Sequence, residues 1–333
     1  MKKILKYIGC VVCLLAFTNC ADFLDREPTD ALAKEKVWTS DTYALNAVNG
    51  LYRVSTLALQ GYGFRFSSWG PDGFNYFYSS SMETGIATPS EGYFLDFYTN
   101  WYNMIRVANE VIYNLDGNEN ITADLRDRLI GEARFFRGMG YFLLWHFFGD
   151  VVLRDKPLPV NETNLPKTPA DQILSFCRKD FEAARDILPV SHSDGDWGRI
   201  TKGAAITMLG KTYLYNKEWG KAADELKKLL SIPYTYDLVQ NYADLFNWKT
   251  EKNNEVVYSL QYVGVTDYGS PYDAWYGSRS NNSYGGAECV ASYVTMSNYT
   301  YKDGSPINFS AMPKRSSYED ETSYGIDSVS YTH

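Results

Sequence analysis

Apolar residues recur at helical spacing over most of the first 235 positions, and the places where that spacing breaks divide the chain. Between residues 41 and 57, Ala44, Ala47, Val48, Leu51 and Tyr52 form an i, i+3, i+4, i+7, i+8 stripe, with Ser40 in position to cap the first turn. The spacing predicts an amphipathic helix. From Gly61 to Gly92 the period dissolves into Gly, Ser, Pro and aromatic residues, which predicts a long loop whose aromatic density argues against disorder. Helical spacing returns with Tyr98, Trp101, Tyr102, Ile105, Ala108, Asn109 and Ile112, predicting a helix over 98–115. Leu125, Leu129, Ala133, Phe136, Gly140, Leu143 and Phe147 predict a second over 124–147, where Gly138 and Gly140 leave room for a neighbouring backbone. Thr168, Pro169 and Asp171 mark another start, with proline at the first helical position and an acid in the first turn. Ile173, Cys177, Phe181, Ala184 and Leu188 continue that stripe, and Leu188-Pro189 closes a helix over 170–188.

Residues 203–233 read as a helical hairpin of the tetratricopeptide kind. Leu209-Gly210, Tyr213, Ala222, Leu226 and Pro233 put small residues where helices cross and large ones where they fill the groove. With the preceding helices and their short connections, the pattern predicts a mainly α fold, an array of helical hairpins. Beyond Tyr236 the character changes. Val256 to Tyr262 alternates weakly and predicts a strand, and residues 264–333, rich in Gly, Ser, Asn and Tyr, predict an irregular, loop-rich part facing a ligand.

The first twenty residues set a compartment. Lys2, Lys3 and Lys6 precede an apolar run from Ile8 to Phe17, too short for the roughly 20 residues that span a bilayer. Cys20 stands where a mature chain would begin. The expectation is a lipoprotein signal over residues 1–19 and acyl chains, palmitate among them, attached at Cys20; the alternative is an ordinary secretory signal with an incidental cysteine. Cys10 and Cys13 fall inside the signal, which leaves Cys177 and Cys289, expected as two free buried thiols, with a single disulfide as the alternative.

Charge and composition remove several function classes. The formal net charge of -8 and the lack of a Lys/Arg stripe oppose phosphate-backbone binding, so nucleic acid is not an expected partner. His146, His192 and His333 stand at no metal-ligand spacing, and no cofactor is expected; His146, in an aromatic helical run, is expected in the core. Neither a nucleophile elbow nor a phosphate loop occurs. Glu132, near Arg134 and Arg137 on a largely apolar helix, is the conspicuous carboxylate, but an acid there is expected to pair with a neighbouring helix rather than act on a sugar.

Aromatic content of 16%, with 28 tyrosines, fits wet surfaces that bind something. Flat rings stack on the C–H faces of sugars, while Asp, Asn and Arg bond to hydroxyls at the rim. Two groups have this composition: Trp69, Asp72, Asn75, Tyr76 and Tyr78, and Tyr272, Asp273, Trp275, Tyr276 and Arg279. Local packing of each ring is the alternative.

These segments together resemble the SusD/RagB family. The resemblance is carried by Cys20-Ala21-Asp22-Phe23-Leu24-Asp25 with Pro28, by Trp101-Tyr102 through Ala108-Asn109, and by Gly131 to Arg137 through Tyr141-Phe142 to Phe148-Gly149-Asp150. Leu188-Pro189, Gly198 to Ala205, Tyr236-Asp237-Leu238, Asn241-Tyr242, Leu245-Phe246, Asn254-Glu255 and Asp303-Gly304 extend it in family order. It implies a SusD-like helical domain over 20–235 and the start of an irregular C-terminal part over 236–333. It further implies a lipid-anchored, non-enzymatic glycan binder on the outer face of the outer membrane, which delivers its ligand to a SusC-like TonB-dependent transporter. Chains of the family are longer, so the C-terminal part is expected to be incomplete. A tetratricopeptide scaffold that only contacts the transporter, or a surface glycoside hydrolase, are the competing readings.

Overall fold

The computed structural model describes residues 36–75, 81–159, 164–265, 269–270, 289–301 and 303–308. Seven α-helices occur among them: α1 Asp41–Trp69, α2 Gly92–Leu115, α3 Ala123–Phe148, α4 Ala170–Ile187, α5 Lys202–Tyr215, α6 Trp219–Leu226 and α7 Tyr293–Ser297. Two short strands, β1 Gly73–Asn75 and β2 Cys289–Ala291, accompany them. The mainly helical, hairpin-based architecture expected from the sequence is therefore present. The described residues fall into two compact units, one of 36–56 and 98–259, the other of 57–97 and 260–308.

In the first unit the predicted stripes become the core. Ala44, Val48 and Leu51 of α1 are fully buried, as are Trp101, Met104 and Ala108 of α2. Helix α3 buries Leu129, Phe135, Phe136, Tyr141 and Leu144, and consecutive helices α3, α4, α5 and α6 pack on one another in chain order. Only Asn216, Lys217 and Glu218 join α5 to α6, with Lys217 at a φ of 61°, so these helices form a hairpin. Gly210 permits their contact: a Cβ there would lie 2.5 Å from Leu226 Cδ2. Gly138 and Gly140 serve a similar purpose, although it is the side chains of Phe181 and Ile105, not a neighbouring backbone, that occupy the space.

Polar side chains fasten this core. Arg137 is bidentate to Asp180, at 2.7 Å from Nε and 2.8 Å from Nη2, and its Nη1 donates to Asn109 Oδ1 at 2.8 Å and to the Asp155 carbonyl at 2.9 Å. The segment after α3 has no helix of its own and is held by its backbone. Tyr102 donates to the Val152 carbonyl at 2.6 Å, Asn109 and Tyr141 both donate to the Arg154 carbonyl at 2.8 Å, and the Arg154 amide donates back to Tyr141 at 2.6 Å.

The structure differs from the sequence expectations at several points. Helix α1 does not stop near residue 57 but runs to Trp69, into the span expected as a loop, because helix propensity is a weak term that ring packing at the far end outweighs. Proline 169 is the N-cap of α4, not its first helical residue, and the carboxylate of Asp150 accepts the Ala170 amide at 2.8 Å. Val256 to Tyr262 is irregular, without a strand; Tyr258 instead meets the Phe135 ring at 6.0 Å. His146 lies exposed on α3 against the Tyr215 ring at 4.8 Å, because the aromatic run around it turns one face outward. Cys177 is a free buried thiol, pushed up to about 12 chiefly by burial, and its Sγ donates to the Leu174 carbonyl.

Within the second unit, β1 and β2 pair antiparallel, Gly73 opposite Ala291 and Asn75 opposite Cys289. Ser292 then caps α7, its hydroxyl accepting the Thr295 amide at 3.1 Å, while its own amide donates to the Asp72 carbonyl at 3.0 Å.

Candidate functional site

Trp69 closes α1 as a half-buried indole among three rings of the second unit. Phe66 approaches edge-on at 5.2 Å, Tyr93 at 5.0 Å and Phe97 at 5.9 Å. A helical offset of three places Phe66 and Trp69 on one face, and Tyr93 is fixed by a 2.8 Å hydrogen bond with Ser81 Oγ. The turn after the helix presents exposed Asp72, whose carbonyl takes the amide of Ser292 and the hydroxyl of Thr295 while its carboxylate faces solvent. Asn75 is anchored at its amide, which donates to Glu83 Oε1 at 3.0 Å. Trp69, Asp72 and Asn75 thus fall within one helix end, turn and strand, an aromatic residue followed within six positions by an acid and an amide. Tyr76, Tyr78, Tyr272, Asp273, Trp275, Tyr276 and Arg279 lie outside the described residues, as does Cys20.

A concavity lies within the first unit, and sequence reasoning did not identify it. This cleft of about 390 Å³ is lined by Trp197, Arg199, Tyr234, Tyr236, Lys252, Asn254 and neighbouring residues. Its rings come from the turn after α4, the segment after α6 and the segment past residue 250. The Lys252 ammonium rests 5.0 Å above the Trp197 ring, and Tyr234 and Tyr236 lie nearly parallel at 6.0 Å. Gly203 makes room for Tyr236: a side chain at that helix start would meet the Tyr236 hydroxyl and ring.

Charge at the cleft's edge is ordered by the first unit's ion pairs. Arg199 donates to buried Glu132 Oε2 at 2.9 Å, to Asp196 Oδ1 at 2.9 Å and to Asn49 Oδ1 at 2.6 Å. Burial raises the Glu132 carboxyl against the opposing pull of Arg199 and Arg128, whereas the Arg128 and Arg199 hydrogen bonds hold Asp196 low despite partial burial. Glu132 therefore pairs with Arg199 in the turn before α5 and with Arg128 of its own helix, not with a neighbouring helix as expected, and its side chain is closed to solvent, an arrangement without room for a sugar. Burial holds His192 below its ordinary range, and its Nε2 lies 2.9 Å from the Ile200 carbonyl. Among the described residues no cluster of His, Cys, Asp and Glu is arranged to hold a metal, and no helix is long and apolar enough to cross a membrane. The sequence signal for the cleft was Trp197 directly before Gly198-Arg199, but its partners stand too far along the chain to be read with it.

Comparison with known proteins gives a consistent result. A family model described as SusD-like, starch-binding and associating with the outer membrane matches residues 22–214. SusD-like protein P25 of Formosa agariphila is 26% identical over 284 residues, 78% of this chain and 52% of its own. A SusD-like protein of Bacteroides ovatus is 26% identical over 311 residues, covering 84% and 54%. The chain thus spans about half the length of the curated relatives it matches. Among solved structures, a SusD-like carbohydrate-binding protein from Bacteroides fragilis superposes with a TM-score of 0.73 at 24% identity, over 82% of this chain and 56% of that one. A surface glycan-binding protein A from Bacteroides thetaiotaomicron superposes with a TM-score of 0.64 at 21% identity, over 79% and 61%.

Proposed function

Because the chain belongs to the SusD-like family, whose description is starch-binding and outer-membrane association, we propose that it binds glycans without catalysis and hands them to a transporter. The observation that carries this reading is the half-buried Trp69 indole, braced by three rings and followed at once by exposed Asp72. A braced ring stacks on a sugar face without first paying to become ordered, and the neighbouring carboxylate accepts hydroxyl hydrogen bonds. Two structural relatives support the ligand class: one is named a laminarin-binding SusD-like protein, and the surface glycan-binding protein of Bacteroides thetaiotaomicron was solved in complex with laminarihexaose. On this reading Cys20 carries the lipid anchor at the outer face of the outer membrane and a SusC-like TonB-dependent barrel is the partner. Tyr76, Tyr78, Tyr272, Asp273, Trp275, Tyr276 and Arg279 would complete the ligand surface.

A panel of oligosaccharides that includes laminarihexaose tests the reading by calorimetry. At least one glycan binds, and Trp69→Ala weakens it about tenfold, the loss of one stacked ring. Unchanged affinity for every bound glycan in the Trp69→Ala protein rules this surface out. Released reducing ends from any glycan would show a hydrolase instead.

A further inference from the structure

The cleft of the first unit combines features that the glycan reading at Trp69 does not use, and its chemistry differs. Its walls supply rings from Trp197, Tyr234 and Tyr236, and its rim supplies Ser191, Thr235 and Asn254, whose side chains make no hydrogen bond among the described residues. Among the described residues no carboxylate lines it. The one acid beside Trp197 in sequence, Asp196, is held between Arg128 and Arg199, and Glu132 is sealed behind Arg199. Lys252, by contrast, is exposed and pairs with no carboxylate among the described residues; its ammonium lies on the Trp197 face. In a chain of formal net charge -8, a concavity with an unmatched cation and no acid in its lining is selective in sign. The volume of about 390 Å³ falls in the range of small-ligand sites, roughly 300–1,000 Å³.

The geometry points to a second ligand site here, taking a sugar unit that carries an anionic group: the ring stacks on Trp197 or Tyr236, hydroxyls reach Thr235 and Asn254, and the carboxylate or sulfate meets Lys252. A point cation on a flexible stem suits one exposed anion, whereas a bidentate Arg fork at this site is already occupied by Glu132 and Asp196. The site is independent of the surface at Trp69, and either can fail without the other.

The test uses the full chain and three probes of equal length by calorimetry: trigalacturonate, a mono-sulfated maltotriose and maltotriose itself. At least one acidic probe binds more tightly than maltotriose, and Lys252→Met lowers that affinity about fivefold while leaving maltotriose unchanged. Because Lys252 is exposed, that variant keeps the fold. Trp197→Ala, which removes a wall of the cleft and the ring beneath Lys252, weakens the acidic probe about tenfold, and Trp69→Ala does not. Preference for the uronate or for the sulfate names the anion. Equal binding of acidic and neutral probes, no binding of either acid, or a loss caused by Trp69→Ala and not by Lys252→Met would each overturn the proposal.

Discussion

Arg137 makes a strong prediction about stability. Its side chain is 6% exposed and that of Asp180 2%, and four hydrogen bonds tie the guanidinium to Asp180, Asn109 and the Asp155 carbonyl. The Phe176 ring covers it at 4.9 Å. Arg137→Ala removes all four bonds and leaves the Asp180 carboxylate buried, with only Arg134 at 3.4 Å, itself one-third exposed, to offset the charge. Breaking a buried pair from one side costs about 3–5 kcal/mol. Thermal melting then falls on the order of 10 °C. Asp180→Asn costs less, since the amide oxygen still accepts from the guanidinium, and the double variant Arg137→Ala/Asp180→Ala loses less than the sum of its single changes. Equilibrium unfolding in urea, followed by helix signal, reads the difference. A loss below about 1 kcal/mol for Arg137→Ala, the value of an exposed pair, would refute the reasoning, because it would mean that water reaches Asp180.

Three other outcomes are expected. Gly203→Ala places a methyl against the Tyr236 hydroxyl and displaces that ring, so tyrosine signals of the cleft shift in NMR spectra while the contacts at Trp69 stay as they are. Hydrogen bonds from Lys221, Asn216 and Arg178 lower Glu218 to about 2, so its contribution to stability is complete above the ordinary glutamate range and is lost as the pH falls toward that value; Glu218→Gln flattens this acid limb in pH-dependent melting. Buried Cys177, its thiol raised to about 12, stays unmodified by a maleimide at pH 7 in the native protein and reacts once the chain is unfolded in denaturant.

Much of the fold was legible because helices declare themselves locally. The stripe of Ala44, Val48 and Leu51, the start near Pro169 and the crossing at Gly210 all depend on residues within a few turns of one another. Features that depend on distant partners were not legible. The pairing of Gly73 to Asn75 with Cys289 to Ala291 leaves no periodic trace in three-residue strands, and the weak alternation at Val256 to Tyr262 mimicked a strand where the chain merely runs past Phe135. The end of α1 was hidden for the opposite reason: Gly61 and Gly63 signal a break, but Phe66 and Trp69 find Phe97 and Tyr93 and the helix continues. Of the candidate site, Trp69, Asp72 and Asn75 could be grouped because they are neighbours in sequence. Trp197, Tyr236 and Lys252 could not, since three separate segments bring them to one cleft.

The segment from Val152 to Asp155 is gripped at its backbone, through three carbonyls and one amide, while the Arg154 guanidinium lies over the Tyr102 ring at 5.7 Å. Every amino acid carries the same carbonyl, so a substitution at Leu153 leaves these backbone bonds in place. The burden of keeping its course falls instead on Tyr102, Asn109, Arg137 and Tyr141, four residues on two helices elsewhere in the chain. Where a loop of this kind is recognised by another molecule, its surface can be rewritten while its path is inherited unchanged.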